Sequence, residues 1–326
     1  MDQARAEQIL SELQLVTRII YTGQVPEIKP SATLLVKNIK AAGDRPFIKK
    51  DASGHALYYI VKGSAGVDIG QPERIEVPAK RTVGEMSMIS MVINSLDNLM
   101  ALESRTADVY AEKDMTLIVY NYSALVEILN DPNPALRKPR GQVMISLNRI
   151  MYRKLMEVNE NYINVLTAWG VTQEAEETQY PVRLLEGLGQ FMKKLLAIPN
   201  LSVKPHELRG TIIREGEPIS DIIFLHEGRV KVSKVYKDQA TEEEKRIDLN
   251  IQSAPSMIGE SSILNVGSLS VSQVDSLGKV MGFRMSVQAL MRHLQHYPEM
   301  FEHLFQLLLE LNYFRTVSMM KRTSSL

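Results

Sequence analysis

The sequence predicts an α+β protein in which two β-rich domains are flanked and joined by helices. Three observations lead to this prediction: a glycine-punctuated β pattern over residues 214–232, a second copy of that pattern upstream, and helical patterns before, between and after the two copies. At 326 residues the chain is also long enough for two domains of ordinary size. The two β patterns therefore define the domains, and helices connect them.

The clearest β pattern is the stretch REGEPISDIIFLHEGRVKV at residues 214–232. Ile222 and Phe224 lie two residues apart, which is the period of a strand with one buried face. Gly216 and Gly228 lie where the strands must reverse. The stretch therefore indicates short antiparallel strands joined by glycine turns.

A second copy of the pattern lies upstream. Residues 58–67 align with residues 223–232 at an offset of 165, and a glycine-glutamate pair follows each copy, at residues 84–85 and at residues 259–260. The second pair is offset by 175, so the second copy has ten extra residues in a polar segment near residues 237–246, which we expect to form a solvated hairpin. Self-similarity of this kind is evidence for two similar domains that is independent of any motif.

The offset returns to 165 further along the chain. Residues 104–109 align with residues 269–274, so Arg105 corresponds to Ser270 in the alignment. The first copy therefore carries a ten-residue insertion of its own, between Glu85 and Arg105.

These motifs resemble the cyclic-nucleotide-binding family, the small β-roll domains of bacterial cAMP receptor transcription factors and of protein kinase A regulatory subunits. The pairs at residues 84–85 and 259–260 look like the start of that family's phosphate-binding cassette. The resemblance implies two cupin-like β-rolls (double-stranded β-helices), and two rolls in tandem are most similar to the protein kinase A regulatory subunit. No Arg-Arg-x-Ala/Ser-Val pseudosubstrate precedes the first roll, so the resemblance supplies architecture and not a kinase partner.

Five segments follow from this organisation. We expect an N-terminal helical segment, the first roll, a helical connector, the second roll, and C-terminal helices with a tail, at residues 1–40, 41–136, 137–203, 204–290 and 291–326.

Prolines and glycines predict where the helices are interrupted. The N-terminal helix is expected to break near Pro26 and Pro30, the connector at Gly187 and Gly189, and the C-terminal helices near Pro298.

A long helix is predicted from about Arg140 to Trp169, and its apolar residues recur every three or four positions. Two interpretations stay open. In cAMP receptor proteins the equivalent helix forms the dimer interface, which implies a homodimer here; alternatively the stripe packs on its own domain. The stripe comprises Leu147, Met151, Leu155, Val158, Tyr162, Val165 and Trp169.

The resemblance implies a nucleotide site in the first roll. In the family the cassette glycine admits the ligand closely, amides at a helix start face the phosphate, an arginine pairs with the phosphate, and a glutamate accepts the ribose hydroxyl. The corresponding candidates are Gly84, Glu85, Met86, Ser87, Arg105 and Thr106.

The spacing from Glu85 to Arg105 is about twice that usual in the family. The insertion either loops out and preserves the pocket or fills it, in which case Arg105 pairs with a local carboxylate such as Glu103 or Asp108.

The second roll keeps the usual spacing but lacks the arginine. Its weaker candidates are Gly259, Glu260, Ser261 and Ser270, with serine at the arginine position. A lost charge-assisted pair is worth about 1.5–3 kcal/mol, or roughly tenfold to a hundredfold in affinity. We therefore interpret the second roll as a scaffold or interaction domain.

Composition and motifs exclude several classes. The 38 basic and 38 acidic residues balance, so we expect no electrostatic attraction of the whole chain to nucleic acid. The chain has no cysteine, and neither roll contains closely spaced histidines, so we expect no metal or other cofactor. No nucleophile, paired-acid or Walker motif supports catalysis. No basic recognition helix follows the second roll, and no signal or membrane segment is evident, so we expect no DNA, no membrane and a cytoplasmic location.

The leading hypothesis is a non-catalytic regulatory protein that senses a cyclic nucleotide, cAMP or cGMP, in the first roll and relays it to a protein partner. The alternative is a ligand-independent adaptor with degenerate pockets. A transcription regulator is the third and least favoured reading.

Overall fold

The computed structural model describes the chain except for residues 42, 44, 53, 69, 71–72, 97–104, 106, 171–172, 200, 202, 238–241, 265–267 and 326. The chain divides into two compact units, residues 1–153 and residues 154–326. Each unit contains helices and antiparallel sheets. The predicted α+β class is therefore confirmed.

The first unit begins with helix α1, Gln3–Thr22. The Asp2 side chain caps it by accepting a hydrogen bond from the Arg5 amide at 2.8 Å, and Gly23 ends it in the left-handed conformation. One face of α1, which includes Leu13, is buried. The helix is therefore capped at both ends and buries one face.

The prediction of a helical segment over residues 1–40 is wrong beyond α1. Leu34–Ile39 is a strand, β1, that pairs antiparallel with Met115–Asn121. The pairing partner lies about 80 residues away in the sequence, so long-range hydrogen bonding rather than local pattern decides the conformation of this segment.

Among the described residues of the first unit, seven strands form two antiparallel sheets, in the orders β1-β7-β2-β5 and β4-β3-β6. Their apolar faces, including Ile60, Val109 and Leu117, form the core of the roll. The remaining strands are β2 Ala56–Lys62, β3 Ser64–Asp68, β4 Ile75–Pro78, β5 Thr82–Val83, β6 Asp108–Ala111 and β7 Met115–Asn121. The helices are α2 Glu85–Leu96, α3 Ser123–Asn130 and the first part of α4, Arg137–Trp169.

Among its described residues, the second unit has one antiparallel sheet of six strands in the order β11-β10-β13-β8, with β12 on β10 and β9 on β13. Phe191 of helix α5, Val182–Leu196, packs on Phe224, which stacks on Phe283 at 4.9 Å between ring centroids, so α5 packs against the sheet. The strands are β8 His206–Leu208, β9 Thr211–Ile213, β10 Asp221–Lys237, β11 Glu244–Ser253, β12 Ser256–Ile258 and β13 Gln273–Ser286. The helices are α5 Val182–Leu196, α6 Ser261–Leu264, α7 Val287–Leu294 and α8 Pro298–Ser324.

The predicted interruption at Gly187 and Gly189 is wrong, because α5 runs through both. A Cβ at Gly187 would lie 3.1 Å from the Leu307 side chain, so this glycine lets α5 and α8 approach closely. The predicted break at Pro298 is confirmed, since α8 begins at that proline.

Helix α4 begins in the first unit and ends in the second. Its predicted apolar stripe is largely buried within the single chain: Leu147 and Met151 are fully buried, and Val158 and Tyr162 belong to the core of the second unit. Only the end of the stripe, Trp169, is well exposed, at 59%. A homodimer through this stripe would have to replace these contacts, and it stays a prediction.

Candidate functional site

The two rolls use glycine for the same reason at positions 165 residues apart. Gly63 and Gly228 have φ angles of 88° and 89°. A Cβ at Gly63 would lie 2.5 Å from the carbonyl oxygen of Asp114, and one at Gly228 would overlap the carbonyl oxygen of Lys279. Asp114 and Lys279 are themselves 165 residues apart, so the same close approach of strands occurs in both units.

The cassette glycines also occupy matching positions. Gly84 and Gly259 both have positive φ, at 92° and 78°. A Cβ at Gly84 would lie 2.9 Å from the Ala56 carbonyl oxygen, and one at Gly259 would lie 2.7 Å from that of Asp221. Because Ala56 and Asp221 are 165 residues apart, the two cassettes begin at the same point of their rolls.

The backbone of Arg105 returns to the position that Ser270 has in the second roll. The Arg105 amide donates to the Ala52 carbonyl at 3.1 Å, and the Ser270 amide donates to the Glu217 carbonyl at 2.8 Å. Ala52 and Glu217 are again 165 residues apart. The alignment of Arg105 with Ser270 therefore holds in the structure, despite the insertion that precedes Arg105.

The insertion in the first roll lengthens the cassette helix. Helix α2 has 12 residues where α6 has four. Met88, Ile89 and Val92 are fully buried, so the longer helix packs against the roll. The rest of the insertion, residues 97–104, lies outside the described residues.

The side chain of Arg105 reaches the cassette glycine. Its Nη2 atom donates to the Ala56 carbonyl at 2.8 Å, and its Nη1 atom donates more weakly to the Gly84 carbonyl at 3.4 Å. On the way it passes Gly54, where a Cβ would overlap the Nε atom of Arg105. The sequence analysis did not identify Gly54. Because this residue has no Cβ, it leaves the space that the Arg105 side chain occupies.

The Arg105 guanidinium is a buried cation whose hydrogen-bond partners are neutral. The residue is 4% exposed, and among the described residues no carboxylate forms an ion pair with it. Asp108 instead accepts a hydrogen bond from the Lys50 amide at 2.7 Å, and Glu103 lies outside the described residues. A buried charge is costly unless it is paired, so this position favours an anion.

Tyr122 contacts Gly54, the glycine that the Arg105 side chain passes. The Tyr122 hydroxyl donates to the Gly54 carbonyl. Burial raises the pKa of Tyr122 to about 12, against the lowering effect of the nearby Arg105 charge. The hydroxyl therefore stays protonated and acts as a donor.

The other first-roll candidates lie beside the glycine in the first turn of α2. Glu85 and Ser87 are buried, and Met86 is partly buried. Thr106 lies outside the described residues. The structure thus brings Gly84, Glu85 and Arg105 together and leaves Thr106 as a prediction.

In the second roll an apolar side chain takes the place of the arginine. The position that corresponds to Gly54 at the offset of 165 is Ile219, which is buried. A Cβ at Gly259 would lie 3.6 Å from the Cγ2 atom of Ile219. The Ser270 hydroxyl is turned to its own segment and donates to the Ser272 carbonyl at 2.6 Å. The second roll therefore has serine at the position of Arg105 and isoleucine at the position of Gly54, so it has neither the guanidinium nor the space for it.

The serines of the second cassette are also buried. Ser261 is 7% exposed, and the Ser262 hydroxyl donates to the Gly259 carbonyl at 2.5 Å. The Ser262 hydroxyl therefore stabilises the cassette turn.

The cassette carboxylate of the second roll has an arginine partner from another element. Glu260 accepts a hydrogen bond from Nη1 of Arg315 on α8 at 2.6 Å. Sequence reasoning missed Arg315, although a signal existed. The residue falls on the buried stripe of α8, which includes Leu308, Leu311, Arg315, Met319 and Arg322.

Among the residues that the structure describes, no three histidine, aspartate or glutamate side chains gather closely enough to hold a metal ion. Within the same residues, no helix is both long and apolar enough to cross a membrane.

Comparisons with known proteins find similar solved structures only. No family model matches the chain, and no curated protein matches it. The regulatory domain of Toxoplasma gondii protein kinase A with cAMP is 13% identical, with 92% of this chain and 95% of that chain covered and a TM-score of 0.28. The regulatory subunit of a cAMP-independent protein kinase A from Trypanosoma brucei is 17% identical, with 100% and 93% covered and a TM-score of 0.29.

A shorter similar structure is a cyclic nucleotide-binding domain from Methylobacillus flagellatus, 18% identical, with 43% of this chain and 82% of that chain covered and a TM-score of 0.33. The similar structures are thus protein kinase A regulatory subunits and cyclic nucleotide-binding domains, as the sequence resemblance predicts. At this level of similarity they identify neither a ligand nor a partner for this chain.

Proposed function

We propose that this chain is a non-catalytic regulatory protein with two tandem β-rolls. Its first roll binds a cyclic nucleotide, cAMP or cGMP, and its helices relay binding to a protein partner. The observation that carries this proposal is the buried guanidinium of Arg105 beside Gly84, with no described carboxylate as its counter-ion. A cyclic phosphate would supply the missing negative charge, and charge-assisted hydrogen bonds are the strong ones.

The neighbouring groups support a nucleotide rather than a simple anion. Glu85 is at the first position of α2, directly after Gly84, and a carboxylate there is suited to accept a ribose hydroxyl. The amide groups at the start of the same 12-residue helix add a favourable field for the phosphate.

The relay is assigned to α4, because this single helix starts in the first unit and ends in the second. A change in the first roll that alters its packing on the first part of α4 would be passed along this helix to the residues that belong to the second unit.

The second roll supports the adaptor alternative for its half of the chain. Ile219 fills the space that the arginine would use, and Arg315 already pairs with Glu260. We therefore propose that the second roll serves as an interaction domain whether or not the first roll binds a ligand.

Titration calorimetry with cAMP and with cGMP tests the proposal. We expect binding to the wild type and a loss of about tenfold to a hundredfold for Arg105→Lys, because an ammonium group cannot reproduce the planar donor set that spans two carbonyls and a phosphate. Arg209→Lys is the matched control, since Arg209 is an exposed residue of the second roll that pairs with Glu207 at 2.7 Å.

Two results would count against the sensor. If neither cAMP nor cGMP gives heat of binding at high micromolar concentration, the ligand-independent adaptor is left as the function. An equal loss in the Arg209→Lys control would mean that the effect is not specific to the cassette.

A further inference from the structure

The hydroxyl of Tyr59 is a buried polar group without a partner. Tyr59 lies on β2 and is 1% exposed, and among the residues that the structure describes its hydroxyl has no hydrogen-bond partner. Buried hydroxyl groups are usually hydrogen-bonded, because leaving the bond unmade costs free energy. Burial raises the pKa of Tyr59, against the lowering effect of the nearby Arg153 charge, so the hydroxyl keeps its proton. It is therefore a donor to which the described part of the chain offers no acceptor.

A lysine with an unusual backbone conformation lies beside this hydroxyl. A Cβ at Gly23, the residue that ends α1, would lie 3.4 Å from the Cδ atom of Lys80 and 3.9 Å from the hydroxyl oxygen of Tyr59. Lys80 is in the turn between β4 and β5 and has a φ angle of 67°, in the left-handed region that residues with a Cβ rarely adopt. Its amide donates to the Ile60 carbonyl at 2.7 Å, which fixes the turn. The Lys80 side chain therefore passes over Gly23, next to the tyrosine hydroxyl.

The ammonium group of Lys80 has no counter-ion. Lys80 is exposed, and within the described residues its side chain forms neither an ion pair nor a hydrogen bond. The carbonyl groups at the end of α1 carry a partial negative charge that favours a nearby cation. None of them accepts a hydrogen bond from the Tyr59 hydroxyl, however, so the helix end explains the lysine and not the tyrosine.

Helix α4 adds positive charge beside the same group. Tyr21, in the last turn of α1, donates to the Arg149 carbonyl at 2.9 Å, so α4 passes close to the end of α1. Arg153 lies one turn further along α4 on the same face as Arg149. The Tyr59 hydroxyl thus has both a lysine and an arginine as neighbours.

We propose that Tyr59, Lys80 and Arg153 form a binding site for a small phosphate-bearing anion, separate from the cassette of the first roll. All three groups donate hydrogen bonds and two of them are cations, so the complementary ligand is an anion. Donors from three elements, β2, the β4–β5 turn and α4, suit the several oxygens of a phosphate better than the two of a carboxylate. Because Gly23 has no Cβ and Lys80 is an exposed side chain that can move, a small anion can reach the hydroxyl.

Hydrogen exchange read by mass spectrometry tests this proposal on the full chain. Inorganic phosphate, compared with potassium chloride at equal ionic strength, should protect residues 19–24 and 79–82, and the dependence on concentration gives an apparent Kd. We expect this Kd to weaken about tenfold or more in Tyr59→Phe and in Lys80→Gln, since each removes one donor to a charged group. Lys113→Gln, at an exposed lysine between β6 and β7, is the matched control and should keep the wild-type Kd.

A second ligand distinguishes the two sources of phosphate. Tighter binding of glycerol 3-phosphate than of inorganic phosphate would assign the site to a phosphate monoester, and weaker binding would assign it to the free ion.

Two further variants separate this site from a structural hydroxyl and from the cassette. Without phosphate, Tyr59→Phe should be at least as stable as wild type in urea, because it removes a buried hydroxyl that has no partner. Protection by phosphate should persist in Arg105→Met, which changes only the cassette. The proposal would be overturned by a less stable Tyr59→Phe, by protection that is lost in Arg105→Met and kept in Tyr59→Phe, or by no protection in the wild type.

Discussion

Gly54→Ala should destabilise the first roll only while Arg105 is present. A Cβ at Gly54 would overlap Nε of Arg105, well inside the 3.5–4.0 Å at which atoms normally touch, so the side chain must move by roughly 1.5–2 Å. A shift of that size breaks its 2.8 Å hydrogen bond to the Ala56 carbonyl. We expect a loss of about 1–3 kcal/mol in the free energy of unfolding, the usual cost of overpacking.

Urea unfolding of a double-mutant cycle measures this effect. With Arg105→Ala the space is open, so Gly54→Ala should cost little in that background and the coupling should be roughly 0.5–3 kcal/mol. Gly189→Ala is the matched control, because a Cβ there meets nothing within 4 Å. Equal effects of Gly54→Ala with and without Arg105 would refute the placement of the arginine.

Three further predictions concern other parts of the chain. Ser270→Arg should destabilise the second roll by about 1–3 kcal/mol, because Ile219 fills the space that the arginine side chain needs. In urea unfolding the double variant with Ile219→Gly should lose less stability than the sum of the two single losses, and an additive double variant would contradict this. Burial raises the pKa of Glu310 above its usual 4.5, against the lowering effect of Arg183. A carboxyl group whose pKa is raised on folding stabilises the folded state below pH 4.5, where the group is protonated. This stabilisation is lost as the pH rises through the pKa of the folded state. Glu310→Gln should therefore be more stable than wild type at pH 7, and this gain should vanish near pH 4; a gain that is independent of pH would contradict this. Trp169, the chain's single tryptophan, is 59% exposed, so acrylamide should quench its fluorescence strongly; quenching that weakens as protein concentration rises would favour the homodimer.

The glycine framework was predictable from the sequence because the constraint is local. Gly63 and Gly228 stand where a neighbouring carbonyl leaves no room for a Cβ, and the φ of each is one that other residues avoid. The offset of 165 residues also aligned Arg105 with Ser270, since the strands on both sides fix those positions. Such features follow from patterns of a few residues repeated along one chain.

Other features depend on contacts between distant parts of the sequence. Gly54 matters only because a side chain 51 residues later crosses it, and Ile219 has meaning only by comparison with Gly54. Arg315 reaches Glu260 from a helix whose rotation is set by packing, 55 residues away. Leu34–Ile39 was assigned to a helical segment because its pairing strand lies far along the chain.

If Arg105 holds the phosphate of a nucleotide, the first roll should distinguish cAMP from adenosine. Both share the base and the ribose 2′-hydroxyl, but only cAMP carries the negative charge. Calorimetry on the wild type should show cAMP binding about tenfold to a hundredfold more tightly than adenosine, and Arg105→Met should abolish that preference. Equal affinity of the wild type for the two ligands, or a preference for cAMP that persists in Arg105→Met, would contradict the claim.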